Sequence, residues 1–464
     1  MEEKKEGTYG HRYDTVAAFL SLEFIAVALF GLGGSLFMPI LQLLGVFVAM
    51  LVIPFIRNNV SGSKQKKLLI YVIALAAFLL PIGFGHFWSN AYYGGNGLTI
   101  AAYGGLMVLG GVAFFVIGYG IRCIKPAKPK YIVLSLMVGL AAYVAITLVY
   151  SMVRYGPFYV SRYAGMVYYY DGIVYPISRE GKALLGFEFY ETTLAFSKFA
   201  AFLLASCASS LLFLHPKKDK LFFFMVLGLS GLGLLDLVLT PFKKGLVLLL
   251  VVYGLSFLVF LLRFLWKKGD KYAKKIGLVL KIVFFVLIGV TLLGVLTLMI
   301  DASNGFLRNM GIPYLSAALQ ADEGFFGSIR VALQTLLGVR NHNFSLLSFL
   351  FGVIPSSMLN TSSFEFNLLW QSGFLAFLML LVILFYSLRQ ARDFLVHDSM
   401  HFGIKYLIVA LLLGAFIYLT FQADDAPLIY YPTTSFVPIS RSMVSFGLLG
   451  VLGMMYAIQK EEQQ

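Results

Sequence analysis

Apolar positions in this chain fall into long unbroken runs, and the polar positions are confined to the gaps between them. Windows of about 20 apolar residues, the length that crosses a hydrocarbon core of about 30 Å, lie at 15–32, 34–56, 68–87, 98–121, 131–153, 190–214, 221–240, 245–265, 276–300, 367–388, 405–422 and 441–458. The runs show no alternation of period two. Barrel strands would be shorter and would alternate polar with apolar, so the pattern predicts helices, which satisfy their own backbone in lipid. The expected class is all-α: a polytopic integral membrane bundle of about twelve helices forming a single domain over 1–464. Two long gaps, 154–189 and 301–366, stand out as insertions expected to contain short amphipathic helices.

Composition agrees, because 59% hydrophobic and 12% charged residues leave too little polar surface to cover a soluble globule of 464 residues. Charge adds a direction. Alternate gaps carry Lys4, Lys5 and Arg12; Arg57, Lys64, Lys66 and Lys67; Arg122, Lys125, Lys128 and Lys130; Lys217, Lys218 and Lys220; Arg263, Lys267, Lys268, Lys271, Lys274 and Lys275; Arg389, Arg392 and Lys405; and Lys460. Short cytoplasmic loops hold the positive charge of membrane proteins, so both termini are expected in the cytoplasm and both insertions outside. The net charge of +14 is therefore mostly topology. Nucleic acid is not an expected partner, since it requires one concentrated basic face. The first run is followed at once by a second, which reads as an anchor and not a removed signal peptide. Cys123 and Cys207, near cytoplasmic helix ends, suggest neither a disulfide framework nor a metal site.

Loops beyond about 15 residues are usually functional, which directs attention outward. The two outer insertions prefer arginine, with Arg154, Arg162, Arg179, Arg308, Arg330 and Arg340 against Lys182 alone. A planar guanidinium grips phosphate at two points, so an anionic ligand at the outer face is one reading. Pairing with Asp171, Glu180, Glu188, Asp322 and Glu323, or contact with lipid headgroups, is the other. The first insertion interleaves its arginines with Tyr155, Phe158, Tyr159, Tyr163 and Tyr168 to Tyr170, residues that stack on sugar rings and also populate the membrane interface. In the second, Phe326, Ile329, Leu333, Leu336 and Leu337 recur at helical spacing, which predicts an amphipathic helix along the membrane surface with Arg330 beside its apolar stripe. Two outer residues suit a general base: His342, an imidazole titrating near neutrality, and Glu365, where a loop enters a helix and a carboxylate also serves as a cap. Within the runs, Glu23, Lys198 and Asp236 are costly at depth and are expected to be functional or paired. Lys243 and Lys244 lie in a tight TPFKKG turn, either paired with Asp236 or available to a phosphate.

The segment from Phe349 to Leu381, FLFGVIPSSMLNTSSFEFNLLWQSGFLAFLMLL, resembles the C-terminal signature of the O-antigen polymerase and ligase family. Its elements are the Leu350-Phe351-Gly352 turn, the polar patch from Ser362 to Glu365, and Gly373. TPFKKGLVLLLVVYG is similar to the family's short basic turn before an apolar helix, and SIRVALQTLLG to the stretch that carries the large loop's arginine, which falls on Arg330. The resemblance spans about 225 to 385 in layout. It implies metal- and cofactor-independent glycosyl transfer at the outer leaflet of a bacterial cytoplasmic membrane, between polyprenyl diphosphate-linked oligosaccharides, alongside a flippase and a chain-length regulator. Arg330 and Arg340 would hold the diphosphates, helped by Arg154, Arg162 and Lys243 or Lys244, with Glu365 or His342 as base. Ser362 occupies the place where the family's ligases carry a histidine, which favours a polymerase. A ligase and a lipid-linked sugar flippase remain the alternatives.

Overall fold

The computed structural model describes residues 16–26, 37–92, 97–124, 131–139, 141, 167–170, 173–176, 204–239, 251–261, 345–352, 364–422 and 442–458. They form helices α1 (Val16–Ala26), α2 (Phe37–Asn59), α3 (Gly62–Tyr92), α4 (Gly97–Ile121), α5 (131–139), α6 (204–211), α7 (Lys220–Leu239), α8 (Val251–Leu261), α9 (Leu346–Phe351), α10 (Phe364–His397), α11 (Phe402–Gln422) and α12 (Ser442–Tyr456). All but α9 fall on the apolar windows of the sequence; the window at 276–300 lies outside the described residues. Two stretches among them, Gly62–Gly83 of α3 and Ser372–His397 of α10, are long and apolar enough to cross a membrane. Both helices outrun their windows: α3 has 31 residues and α10 has 34. At 1.5 Å per residue α3 is a rod of roughly 45 Å; both helices run on because an apolar window marks a hydrophobic stretch and not the end of a hydrogen-bonded segment.

The departure from helix among the described residues is a hairpin in the first insertion, where a short amphipathic helix was expected. Strand β1 (Val167–Tyr170) pairs antiparallel with β2 (Ile173–Pro176), Tyr168 opposite Tyr175 and Tyr169 opposite Val174. The run is rich in aromatic and β-branched residues, which fit a pleated surface. It is divided by Asp171-Gly172, the dipeptide that favours two-residue hairpin turns.

Helix α4 is apolar around its whole circumference, and a helix of that kind belongs in the interior. Phe114, Phe115, Ile117 and Ile121 are accordingly buried. Helices α2, α3 and α12 pack on it, α10 packs on α3, and α11 contacts both α10 and α12. The α4–α12 crossing is close because it is lined by glycine. A Cβ on Gly118 would strike the backbone carbonyl of Gly450, and one on Gly453 that of Phe115. Rings close the remaining space: Phe24 of α1 stacks on Phe114 at 5.2 Å, and Tyr456 of α12 meets Tyr71 of α3 and Phe115 of α4 edge-on at 4.7 and 5.4 Å.

Outward-facing surfaces of the same helices are also apolar. Leu51 and Phe47 of α2 are 69% and 63% exposed, Ile70 of α3 is 62% exposed, and Phe224 of α7, Phe257 of α8 and Phe374 of α10 also project from the bundle.

Candidate functional site

Two glycines of the motif around 350–373 carry the positive φ angles among the described residues, Gly352 at 94° and Gly373 at 85°. Helix α9 is a turn and a half long. Its Phe349 N–H donates to Ser345 O at 2.9 Å, and Gly352 ends it by donating its N–H to Ser348 O at 2.8 Å. An L side chain at Gly352 would meet the steric penalty of the left-handed region, so the Leu350-Phe351-Gly352 turn needs its glycine.

Gly373 breaks α10 with φ 85° and ψ 176°, dividing it into a short entrance piece, 364–372, and the long apolar rod that follows. The two glycines answer to one contact. A Cβ on Gly373 would fall on the carbonyl of Leu350 and the N–H of Phe351, so the broken helix lies directly against the α9 turn with no room for a side chain. Phe349 and Phe374 stack at 5.3 Å with an interplanar angle of 17° and fix the approach from either side. Beside the break, Ser372 is 1% exposed and its Oγ has no hydrogen-bond partner among the described residues. Leu368 and Leu369, one turn earlier, are buried and anchor the entrance piece.

Glu365 is the second residue of α10 and lies eight positions before Gly373, about 12 Å along a helical path. That places a carboxyl-bearing residue on the entrance piece, at the end of the helix remote from Arg389 and Arg392. His342, Arg330, Arg340, Arg154, Arg162, Lys243 and Lys244 lie outside the described residues, as does the amphipathic stretch 326–337. What the structure brings together from the motif is therefore the Leu350-Phe351-Gly352 turn, Gly373 and the helical segment that bears Glu365.

The opposite end of α10 holds polar groups that the sequence did not single out. Asp398, directly after the helix, accepts Arg122 Nη2 at 2.5 Å, and the two side chains are 0% and 3% exposed. Asp398 Oδ1 also accepts the N–H of Met400 at 2.8 Å, while Lys405 Nζ donates to its backbone carbonyl at 2.6 Å. Arg122 follows α4 and is 276 residues from Asp398. Such a pair has no signal in spacing. Nearby, His401 Nδ1 accepts the N–H of Gly403 at 3.2 Å and its Nε2 approaches Asp219 Oδ1 at 3.1 Å; Asp219 Oδ2 accepts the N–H of His215 at 3.0 Å. One imidazole thus joins the start of α11 to the start of α7. The break at Gly373 and the Arg122–Asp398 pair are separated by the rod 374–397, roughly 35 Å of helix.

No family model matches the chain, and no curated protein matches it significantly.

Proposed function

We propose that the chain is a multi-pass membrane glycosyltransferase that joins polyprenyl diphosphate-linked oligosaccharide repeat units into a surface polysaccharide at the outer leaflet of a bacterial cytoplasmic membrane. In this reading about twelve helices cross the bilayer, both termini are cytoplasmic, and 154–189 and 301–366 face outward. The apolar side chains projecting from α2, α3, α7, α8 and α10 supply the lipid-facing belt that such a bundle requires, and the Arg122–Asp398 end is its cytoplasmic end. The observation that carries the proposal is the seating of the Leu350-Phe351-Gly352 turn against the helix break at Gly373. Two of the features that suggested the family in sequence, the Leu350-Phe351-Gly352 turn and Gly373, meet in space beside the segment that bears Glu365.

The reaction needs three things. A hydroxyl of the acceptor's terminal sugar loses its proton to a base, Glu365 or His342, as it attacks the anomeric carbon of the donor glycan. The bond from that carbon to the diphosphate oxygen breaks, and the polyprenyl diphosphate leaves with the bonding pair. Fixed guanidinium groups then stabilise the charge growing on the diphosphate, in a site where water does not screen them. Arg330 and Arg340 take that role, with Arg154, Arg162 and Lys243 or Lys244 as further phosphate contacts.

The test is replacement of Arg330 by Ala in a host that makes the polymer. The expected result is loss of the polymer ladder with single repeat units still made and still attached to lipid. Arg330→Lys, which keeps charge but not the planar fork, should restore little. An unchanged ladder removes Arg330 from the mechanism. A second reading, transport of the lipid-linked sugar, draws on the break itself, because transporters bind substrate at discontinuous helices. Here the break falls six residues into the apolar window 367–388, near its start and not at its middle, which favours chemistry at the interface. Deletion of the gene separates the two: retained single units on the outer face indicate polymerisation, and accumulation inside the cell indicates transport.

A further inference from the structure

Helices α2 and α3 both pack on α4 yet scarcely touch each other, so each keeps an exposed outer side. On α2 the buried side is Ala49, Val52 and Ile56, and the opposite, exposed side is Phe47, Leu51 and Pro54. On α3 the buried side is Leu68, Leu75 and Leu79, and the exposed side is Ile70, Ile73 and Ala77, which follow Lys66 at helical spacing. The turn that joins the two helices is pinned. Gln65 Nε2 donates to Arg57 O at 2.9 Å and to Val60 O at 2.7 Å, and Asn59 Nδ2 donates to Cys123 O at 3.1 Å, which ties the turn to the end of α4. It carries Arg57, Lys64, Lys66 and Lys67, all exposed. No Asp or Glu occurs between Glu23 and Asp171, and none of the four cations makes an ion pair among the described residues. The carboxylates described at this end of the bundle, Asp219, Asp393 and Asp398, are taken by His401, Arg392 and Arg122.

We infer that the α2–α3 hairpin is a docking surface for an anionic phospholipid, whose phosphate sits among Arg57, Lys66 and Lys67 while its acyl chains lie along the exposed rows of the two helices. The dimensions agree. From Lys66 to Ala77 the row on α3 runs about 16 Å, and from Arg57 back to Phe47 the row on α2 runs about 15 Å, each the depth of one leaflet of a hydrocarbon core of about 30 Å. Charge selects the headgroup. A soluble phosphate or an acidic protein segment would engage the cations and leave both rows bare. A zwitterionic lipid would cover the rows but bring an ammonium group for which the turn has no carboxylate. An anionic headgroup with its chains attached answers the cations and the rows together, in the way that basic clusters beside membrane helices recognise acidic lipids. The inference rests on the membrane placement proposed above and is independent of glycosyl transfer.

Native mass spectrometry of the full-length protein, released from detergent containing equal amounts of phosphatidylglycerol and phosphatidylcholine with the same acyl chains, tests the proposal. The expected result is that phosphatidylglycerol adducts outnumber those of phosphatidylcholine. Combining Arg57→Gln, Lys66→Gln and Lys67→Gln should lower that preference by about fivefold per cation removed. Combining Lys217→Gln, Lys218→Gln and Lys220→Gln, which removes as many charges from the same side, should leave it unchanged. The thermal midpoint of the first triple without added lipid should match the parent's, because its three side chains are exposed; if it falls, Lys66→Gln alone carries the test, with about a fivefold loss expected. Equal retention of the two lipids overturns the proposal, and so does an equal loss in both triples, which means attraction to the charge of the whole face. Displacement of the adduct by inorganic phosphate in millimolar excess reassigns the turn to a free anion and also overturns it. Polymer formation is read separately: Arg330→Ala should abolish the ladder and keep the lipid preference, so either reading can fail while the other stands.

Discussion

A single added carbon at Gly373 has two consequences at once: it forces a side chain into the left-handed region and places a methyl group on the Leu350 peptide. Gly373→Ala should therefore cost roughly 2–5 kcal/mol by combining the two penalties. The thermal midpoint of the detergent-purified protein should fall, and polymer formation should fall with it. Ala at Gly231 inside α7, where a Cβ meets nothing, is the matched control and should lower neither, with the midpoint unchanged or slightly raised. Cys123 offers a pH-resolved check of local packing. Its thiol is pushed up to about 12 by burial, against the opposing charges of Arg122 and Lys64. The thiolate is the reactive form and is scarce until the pH approaches that value. In a Cys207→Ser background, maleimide alkylation near neutral pH should be on the order of a thousandfold slower than for a free cysteine, rising about tenfold per pH unit. A rate like that of free cysteine would mean that the end of α4 is open. The residue scale was the least legible in sequence. Gly352 and Gly373 were readable because a motif marked them, whereas Ser372 was not, since a serine inside an apolar run looks the same whether its hydroxyl bonds back along its own helix, as Ser209, Ser230 and Ser256 do, or has no partner among the described residues.

At the scale of elements, the ion pair between Arg122 and Asp398 joins the end of α4 to the α10–α11 connection, and both side chains are withdrawn from solvent. Removing either partner strands a buried charge, so Arg122→Ala and Asp398→Ala should each cost roughly 3–5 kcal/mol. Replacing both by apolar residues, Arg122→Met with Asp398→Leu, should recover much of that loss. Thermal unfolding of the two singles and the double in one detergent measures the coupling, and additive losses would show that the pair contributes nothing as a pair. Helix positions were legible because an apolar run long enough to cross lipid leaves few alternatives. Helix ends were less so: α3 and α10 continue past their apolar windows as amphipathic extensions. The β1–β2 hairpin was overlooked although Asp171-Gly172 between Tyr170 and Ile173 is the usual sign of one. The tyrosines there suit a stacking surface and a pleated strand equally, so their presence alone does not choose between the two.

For the whole molecule, alternation of lysine-rich gaps predicts that 301–366 lies on the side opposite residues 62–67 and 217–220. Single cysteines introduced at Ser303 or Ser328, in a background lacking Cys123 and Cys207, should react with a membrane-impermeant maleimide applied to intact cells. One at Ser63 should react only after the membrane is opened. The reverse pattern would place the arginines on the cytoplasmic side and end the glycosyltransfer reading. The helical character was legible from Leu, Val, Ile and Phe runs alone, because such runs without period-two alternation leave little but helix. Packing partners were not. The all-round apolarity of α4 marks it as an interior helix, but nothing in it says that α2, α3 and α12 are the helices that close on it.

The glycine-lined crossing of α4 with α12 has a further consequence for biosynthesis. Ribosomes deliver Gly118 and Arg122 hundreds of residues before Gly450 and Asp398, at roughly 5–20 residues per second. For tens of seconds the nascent amino-terminal half therefore carries a bare groove and an unneutralised guanidinium. A chain arrested before residue 398 keeps that defect permanently, and quality-control proteases are equipped to detect a seam left open.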